Sequence, residues 1–561
     1  MKFKDLTESD ITYIANIYFD KNLSWAQRMS TLSSKYETTE RSILAWIKRL
    51  NLVFTPVEDS PQLAIAKSRQ INRKKKRFII TWAQNDTEVH EQFISNIEKY
   101  AQYIDADIHV IAGRYKNPTS VFSDKNFESW SDRILKYLDA NRHDVHKYLS
   151  IMSDVKIQPT AVDPMTGLQG MSGINSCIFG SPKVQLEMIP VLDGNRPKMM
   201  LTTGSCTLNN YTDSKAGKKG EFHHTLGFVV VEIKDEEVFF VRQVTATAEG
   251  NFTDLFYQTQ YDEANRESTV RKINGIEAIV WGDIHYGKHD QRVFDATLKL
   301  MEELKPKHVV LHDVFDGNSI NHHEQRDPFV QYAKEMSGEN SLKKEIDAML
   351  DGLEKIKDYN VVIVRSNHDD FIDRWLKDID WRKTVTPKNS LEYMQFSTAL
   401  LTGEAPNGII PHVIKKRFPK FNSLGRDASY IVKGWELGQH GDIGSNGSRG
   451  SLVQFRKLNT KIIVGHYHAP GRKDGAISVG TSTHLRIGYN RGASNWLQSH
   501  VIIHDDSKAQ HIHFIGGEYT TLNKIKNNEK GKTRELEKPR KLPKGKGTAK
   551  KRSLATPRRR P

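Results

Sequence analysis

Five short apolar runs in the second half of the chain share one design. Ile276–Val280, Val309–Leu311, Val361–Val364, a run from Tyr430 and Ile462–Val464 each give way to acidic, amide and imidazole side chains. Short, β-branched runs of this kind predict strands buried on both faces. Between them the apolar spacing predicts amphipathic helices over 290–304 and 341–358. Alternating strand and helix predicts packed strands with helices outside and polar groups gathered at the strands' carboxyl ends. Ala476–Gly480 and His500–His504 predict two more strands that would finish a second sheet.

The first half reads differently. Within 1–52, Thr7 with Asp10, then Ser24, then Thr38 or Thr39, are caps for three short helices. In the third, Ile43, Leu44, Ile47 and Leu50 would face inward, and Arg41, Ser42, Lys48 and Arg49 outward. The last two helices look like a helix-turn-helix unit with a recognition helix over 39–51; a docking or oligomerisation module is the plainer alternative. Residues 53–77 predict a basic linker. Residues 78–275 begin as βαβ, with strands at Phe78–Trp82 and Ala106–Ala112 around a helix over 87–104. They continue through predicted strands at Val184–Pro190, Met199–Thr203, Leu226–Ile233 and Val238–Val244, an α+β accessory domain. The lysines, amides and His223-His224 of Asn209–His224 suit a phosphate contact; a basic surface loop with satisfied histidines is preferred.

Charge sharpens this division. The chain of 561 residues carries a formal net charge of +15, placed unevenly. From Asn523 onward stand 16 Lys or Arg against 3 Glu, and Lys67–Arg77 holds 7 basic residues and no acid. The remainder is mildly acidic, so the basicity sits in a tail and a linker, an arrangement suited to tethering on a polyanion. The tail, 516–561, lacks apolar periodicity after Ile525 and reads as disordered. Only two cysteines occur, Cys177 and Cys206, read as small buried hydrophobes in a reducing cytoplasm. No apolar run reaches membrane-span length, and Met1–Asp5 does not read as a signal peptide.

The strand ends carry the chemistry. They read Asp283-Ile284-His285, His312-Asp313-Val314-Phe315-Asp316, Asn367-His368-Asp369, His440-Gly441-Asp442 and His466-Tyr467-His468. An Asp and a His two residues apart on an extended end point to one side. Oxygen and imidazole ligands without cysteine suit manganese, magnesium, iron or zinc, and the mixture of the two favours a two-metal hydrolytic site.

The ordered series D-x-H, G-D-x-x-D, G-N-H-[DE], G-H and G-H-x-H resembles the calcineurin-like metallophosphoesterases over 275–515. His312 stands where that family has Gly, and Ser366 replaces the Gly before Asn367. The resemblance implies a β-sandwich flanked by helices. It implies one metal on Asp283, His285 and His468, a second on Asn367, His440 and His466, and Asp313 bridging them. His368 would protonate the leaving oxygen or steady the phosphorane's charge. Asp316, Asp369 and Asp442 would orient ligands. His322 and His323 would face substrate; His289, His312 and His484 rank below them.

The repair-exonuclease branch is the nearest resemblance, and the appended segments look like those of large phage nucleases. With the basic tail, the linker and the helix-turn-helix-like unit, the expectation is a two-metal, manganese-dependent deoxyribonuclease acting on cytoplasmic DNA. Arg41 and Arg49 would contact that DNA. Two alternatives stand beside it: a phosphatase acting on nucleotides or nucleic-acid ends, and a non-catalytic DNA-binding regulator. Self-association is left open.

Overall fold

A computed structural model describes residues 3–20, 23–50, 60–115, 128–379, 387–488 and 490–522. The expected linker residues 53–59 and the basic tail 523–561 lie outside these. The chain is mixed α/β and divides into two units, Met1–Ala64 and Ile65–Pro561.

The first unit is helical. Glu8–Phe19 and Trp25–Lys35 each begin in a reciprocal capping box, Thr7 with Asp10 and Ser24 with Gln27. Thr39 caps Glu40–Arg49. Ile14, Met29, Leu32, Tyr36, Ile43, Trp46 and Ile47 form the core. Trp46, 5% exposed, takes the inward place expected of Leu44, which is 39% exposed. Ile43, Trp46 and Ile47 follow the i, i+3, i+4 stripe, and the indole fills the space next to Tyr36, with ring centroids 5.9 Å apart. Arg41 is exposed. The Arg49 guanidinium lies 5.4 Å from the Phe3 ring centroid, an intramolecular cation–π contact.

The second unit is built on three large sheets. A five-stranded sheet runs Phe239–Thr245, Gly227–Ile233, Arg77–Gln84, Asp107–Gly113, Leu138–Asp139. Its βαβ start is the parallel pair Arg77–Gln84 and Asp107–Gly113, crossed by the helix Glu91–Ile104. A six-stranded sheet runs Asn422–Ser423, Val361–Ile363, Pro306–Leu311, Ile276–Val280, Ser499–Ile503, Ala509–His513. Its first four strands are parallel and its last two antiparallel.

The ten-stranded sheet takes strands from both sides of residue 275. Leu186–Ile189 pairs with Gly471–Lys473, joining the upstream strands to Lys461–Val464 and Ala476–Ser478. One part of this sheet meets the six-stranded sheet over Val280, Val310, Val362, Ile463, Ile477 and Val501. The other meets the five-stranded sheet over Phe78, Ile80, Trp82, Ile151, Ile178 and Leu201. The segments 78–275 and 275–515 therefore share one sheet, held as a common wall between two cores.

Several local expectations change. The strand expected from Tyr430 is a hairpin, turned by Lys433 and Gly434 with φ of 50° and 80°. Ala476–Ser478 and Ser499–Ile503, expected in one sheet, fall in different ones. Within Asn209–His224 the chain forms a helix, Lys215–His223, capped by Ser214. The basic stretch before residue 78 contains the helix Pro61–Ser68, and Arg69, Lys75 and Arg77 bind Ile108 O, Asp105 and Ile104 O. Residues 520–521, in the segment expected to be disordered, are pinned instead. Thr520 Oγ1 and Thr521 N donate to Glu232 at 2.7 and 2.6 Å.

Two enclosed histidines make the fold sensitive to acid. His224 accepts from Tyr211 OH at Nδ1, 2.7 Å, and donates through Nε2 to Thr207 O, 2.8 Å. His511 donates through Nε2 to Ser478 O at 2.9 Å. Burial pushes both rings down to about 4. The unfolded chain then binds more protons than the folded one below the ordinary imidazole value. The stability held by neutral rings is complete above about pH 6.5 and is lost as the pH falls toward 4, each ring giving up about 1.4 kcal/mol for every pH unit crossed. Thermal melts from pH 7.5 to 4.5 are expected to show the midpoint falling below pH 6.5, with a smaller fall in His224→Asn. A midpoint flat to pH 5 would contradict this.

Candidate metal centre

The parallel strands of the six-stranded sheet end side by side, and their loops are welded by main-chain hydrogen bonds. Ile284 N donates to His312 O at 3.2 Å and His285 N to Asp313 O at 2.7 Å. Ser482 N and Thr481 Oγ1 donate to Asp283 O at 2.8 and 3.0 Å. His500, on the antiparallel strand beside Ile276–Val280, accepts from Gly282 N at 2.9 Å and holds the first loop's entry.

The side chains converge. His285 Nε2 lies 3.4 Å from Asp313 Oδ2 and 3.1 Å from His468 Nε2. His468 Nε2 lies 3.3 Å from Asp283 Oδ2, and His440 Nε2 lies 3.2 Å from Asp313 Oδ2. The His466 ring stands 5.3 Å from that of His440. Three groups with ligand atoms within 4.8 Å of one another result, His285–Asp313–His468, Asp283–Asp313–His440 and His285–Asp316–His368, with Asp313 in the first two. Asp283, His285, Asp313, His440 and His468 are buried.

The backbone is strained where these side chains leave it. His285, Asp313, His466 and His468 have φ of 47°, 46°, 73° and 55°, the left-handed region that side chains other than glycine rarely adopt. Strain of about 1–3 kcal/mol at each residue persists only where the surroundings over-determine it. Gly465 gives the room: a Cβ there would lie 2.4 Å from Asp283 Oδ1 and 2.8 Å from His312 Cγ.

Electrostatics divide the two carboxylates. Burial, reinforced by Asp313, pushes Asp283 up to about 7. Burial would raise Asp313 too, but His440, His368 and His285 hold it well below the ordinary carboxylate range. Burial works against charge on His285 and His440, yet Asp313 foremost lifts both to about 9. Burial pushes His466 down to about 4, and His468 well below its ordinary value.

Both Asp283 oxygens, Asp313 Oδ1, Asn367 Oδ1 and His468 Nδ1 are buried with no hydrogen-bond partner among the described residues. Buried polar atoms are otherwise almost always satisfied. Buried oxygens without partners, together with the Nε2 atoms of His285, His440 and His468 that meet at Asp313 and Asp283, are a donor set that divalent cations complete. The residues present fit a metal pair.

Neighbouring groups hold this set. Asp316 Oδ1 accepts from His285 Nδ1 at 2.9 Å, and its carbonyl accepts from His368 Nδ1 at 2.6 Å. Asp369 folds the third loop, accepting from Ser366 N at 2.9 Å while its own N–H donates to Ser366 Oγ at 3.2 Å. Asp442 touches no ligand among the hydrogen bonds of the site; it pairs with Arg426, which also donates to Arg365 O at 3.2 Å. His368 packs against His285, ring centroids 4.6 Å apart, and against Phe371 at 4.7 Å. His322 lies across Phe371 at 5.0 Å and stacks near His323 at 3.9 Å, with Arg374 Nη1 3.1 Å from its Nε2. Arg41 and Arg49 belong to the other unit. The sequence ranks His312 below His322 and His323 and does not single out His500 or Arg426. For His312 the one signal was its place in the motif; the other two act across long separations that no spacing reveals.

No protein-family model matches the chain. Among solved structures, Vps29 of Chaetomium thermophilum in complex with a cyclic peptide matches 36% of this chain and 97% of its own. At 11% identity and a TM-score of 0.19, that likeness bears no argument. Protein A1 of Escherichia phage T5 is 33% identical over 471 residues, covering 80% of this chain and 83% of that protein. The chain belongs to the family of that phage protein.

Proposed function

We propose that the protein is a two-metal phosphodiesterase that hydrolyses DNA. One observation carries the reading: Asp283, His285, Asp313, His440 and His468 converge while both oxygens of Asp283 and Oδ1 of Asp313 and of Asn367 stay buried with no partner among the described residues. The resemblance to calcineurin-like metallophosphoesterases supplies the assignment, with Asp283, His285 and His468 on one cation, Asn367, His440 and His466 on the other, and Asp313 between. When bound, such a pair supplies Lewis acidity toward a phosphoryl group and lowers the pKa of water. Manganese is the favoured metal, and magnesium, iron or zinc suit the same ligands.

The chain's own residues do the rest. Asp316 fixes the ring of His285 through its carboxylate and that of His368 through its carbonyl. With Nδ1 engaged, His368 has Nε2 left to face a reacting oxygen. Burial lowers its affinity for a second proton, and the nearby Asp313 opposes that. An incoming phosphodiester brings negative charge that favours the imidazolium, which then donates to the leaving oxygen or to the charge building on phosphorus. His322 and His323, one aromatic ring away across Phe371, would meet the flanking substrate in this reading.

DNA is favoured over smaller esters by the 16 cations after Asn523 and by the exposed Arg41 on a capped third helix. Arg49 reads less well as a base contact, because it already covers Phe3. Among the described residues no helix is long and apolar enough to cross a membrane. A relative in a bacteriophage fits an enzyme working on DNA in the host cytoplasm.

Incubating the chain with linear duplex, circular duplex, single strands and a small phosphomonoester, with manganese or with a chelator, tests the reading. Metal-dependent release of nucleotides or fragments is expected. In Asp313→Ala both ions are lost together and cleavage falls by orders of magnitude while the melting profile survives. Two bound ions with near-normal turnover in that variant would refute the site, and cleavage of the monoester alone would make the protein a phosphatase. His368→Ala is expected to lower kcat by about 10²–10⁴ with metal content intact; an unchanged kcat excludes the role. Removing 523–561 is expected to weaken DNA binding and flatten its salt dependence by counterion release, with cleavage of a small phosphodiester unchanged. An unaltered salt slope would leave the tail without a part in binding.

A further inference from the structure

His312 is enclosed at a position where the resemblance has glycine. Its Nδ1 lies 3.4 Å from Nδ1 of His440, with ring centroids 5.6 Å apart. Its Nε2 is buried with no partner among the described residues. Gly465 admits the ring, since a Cβ there would come within 2.8 Å of His312 Cγ.

Two ring nitrogens at that distance bond only if one donates and the other accepts. The far nitrogen of His440, Nε2, faces Asp313 Oδ2 at 3.2 Å, toward the shared carboxylate. Facing a carboxylate, Nε2 donates; where it gives its lone pair to a cation instead, as the two-metal reading has it, the neutral ring must keep its one proton on Nδ1. His312 must then accept at Nδ1 and carry its own proton on Nε2.

The corresponding contact on the other side differs in kind. There, Nδ1 of His285 meets the carboxylate of Asp316 at 2.9 Å. A carboxylate behind a ligand imidazole fixes its tautomer and raises its basicity. An imidazole behind it fixes the tautomer and lends less charge.

Resting on the two-metal reading, we infer that His312 is a positioning residue that holds His440 as its Nδ1–H tautomer, and that the His440 side takes its cation more weakly than the His285 side. The two positions fill in order, and the second ion is the one His312 governs.

The test is a calorimetric titration of the metal-stripped full chain with manganese, for wild type, His312→Leu and His312→Asn. The Asn side-chain oxygen stands as many bonds from Cβ as Nδ1 does and keeps an acceptor. Wild type is expected to show two binding events of unequal affinity. His312→Leu weakens the second by about 10–100-fold and leaves the first within twofold, and His312→Asn recovers most of the loss. Nitrogen NMR of the wild-type chain loaded with zinc, a diamagnetic ion that suits the same ligands, should show His440 protonated at Nδ1. Two events indifferent to His312→Leu, equal weakening of both, or a His440 proton on Nε2 would overturn the inference and leave the two-metal reading standing. A wild-type chain that binds no manganese would overturn both. If His312→Leu fails to fold, the wild-type NMR spectrum and His312→Asn still decide.

Discussion

Two buried carboxylates share one pocket, and the rest of the centre answers to that. Asp283 and Asp313 lie with His440 in a single group of ligand atoms within 4.8 Å. Taking two acids out of water side by side costs several kcal/mol per charge unless something opposite in sign is near. In the free chain the imidazoles supply it, because His440 and His285 border Asp313 and hold it ionised. Asp283 feels the same imidazoles, but burial and then the charge of Asp313 outweigh them and push it up to about 7. A divalent cation, where bound, would relieve both carboxylates. Metal binding to such a pocket therefore releases protons.

The backbone stores what the side chains need. Four of the seven residues that the resemblance makes ligands leave the main chain at positive φ. Each turns sharply just after a buried strand, which aims a side chain back over the strand ends. The cost is met by the welds around them: His285 N on Asp313 O, Asp283 O held twice from 481–482, and Gly282 N on His500. The last two of these join segments about two hundred residues apart. The first of these loops leaves a strand held on both edges, Ile276–Val280 between Pro306–Leu311 and Ser499–Ile503.

The site was legible in the sequence for a physical reason. Parallel strands buried on both faces are continuous apolar runs, and their carboxyl ends collect polar groups, so motif and strand reported each other. Buried partners were illegible because they follow no period. His500 reaches Gly282 across 218 residues. Asp442 was expected to orient a ligand and instead holds Arg426, because a carboxylate this close to a guanidinium pairs with it first. Leu44 was expected inward in the third helix, but the stripe of Ile43, Trp46 and Ile47 turns it outward and sets the Trp46 indole beside Tyr36.

The deepest departure is the shared wall. Composition and βαβ rhythm placed a boundary near residue 275, yet Gly471–Lys473 pairs with Leu186–Ile189 and makes one sheet of both halves. That pairing leaves no trace in hydrophobic spacing, since an edge strand that gains a neighbour keeps its own alternation. Its consequence reaches the metal centre. His468 stands between Lys461–Val464 and Gly471–Lys473 in sequence, so the last ligand lies on the segment that joins the two halves. The upstream segment is therefore bound to the chemistry through the sheet, whatever else it does.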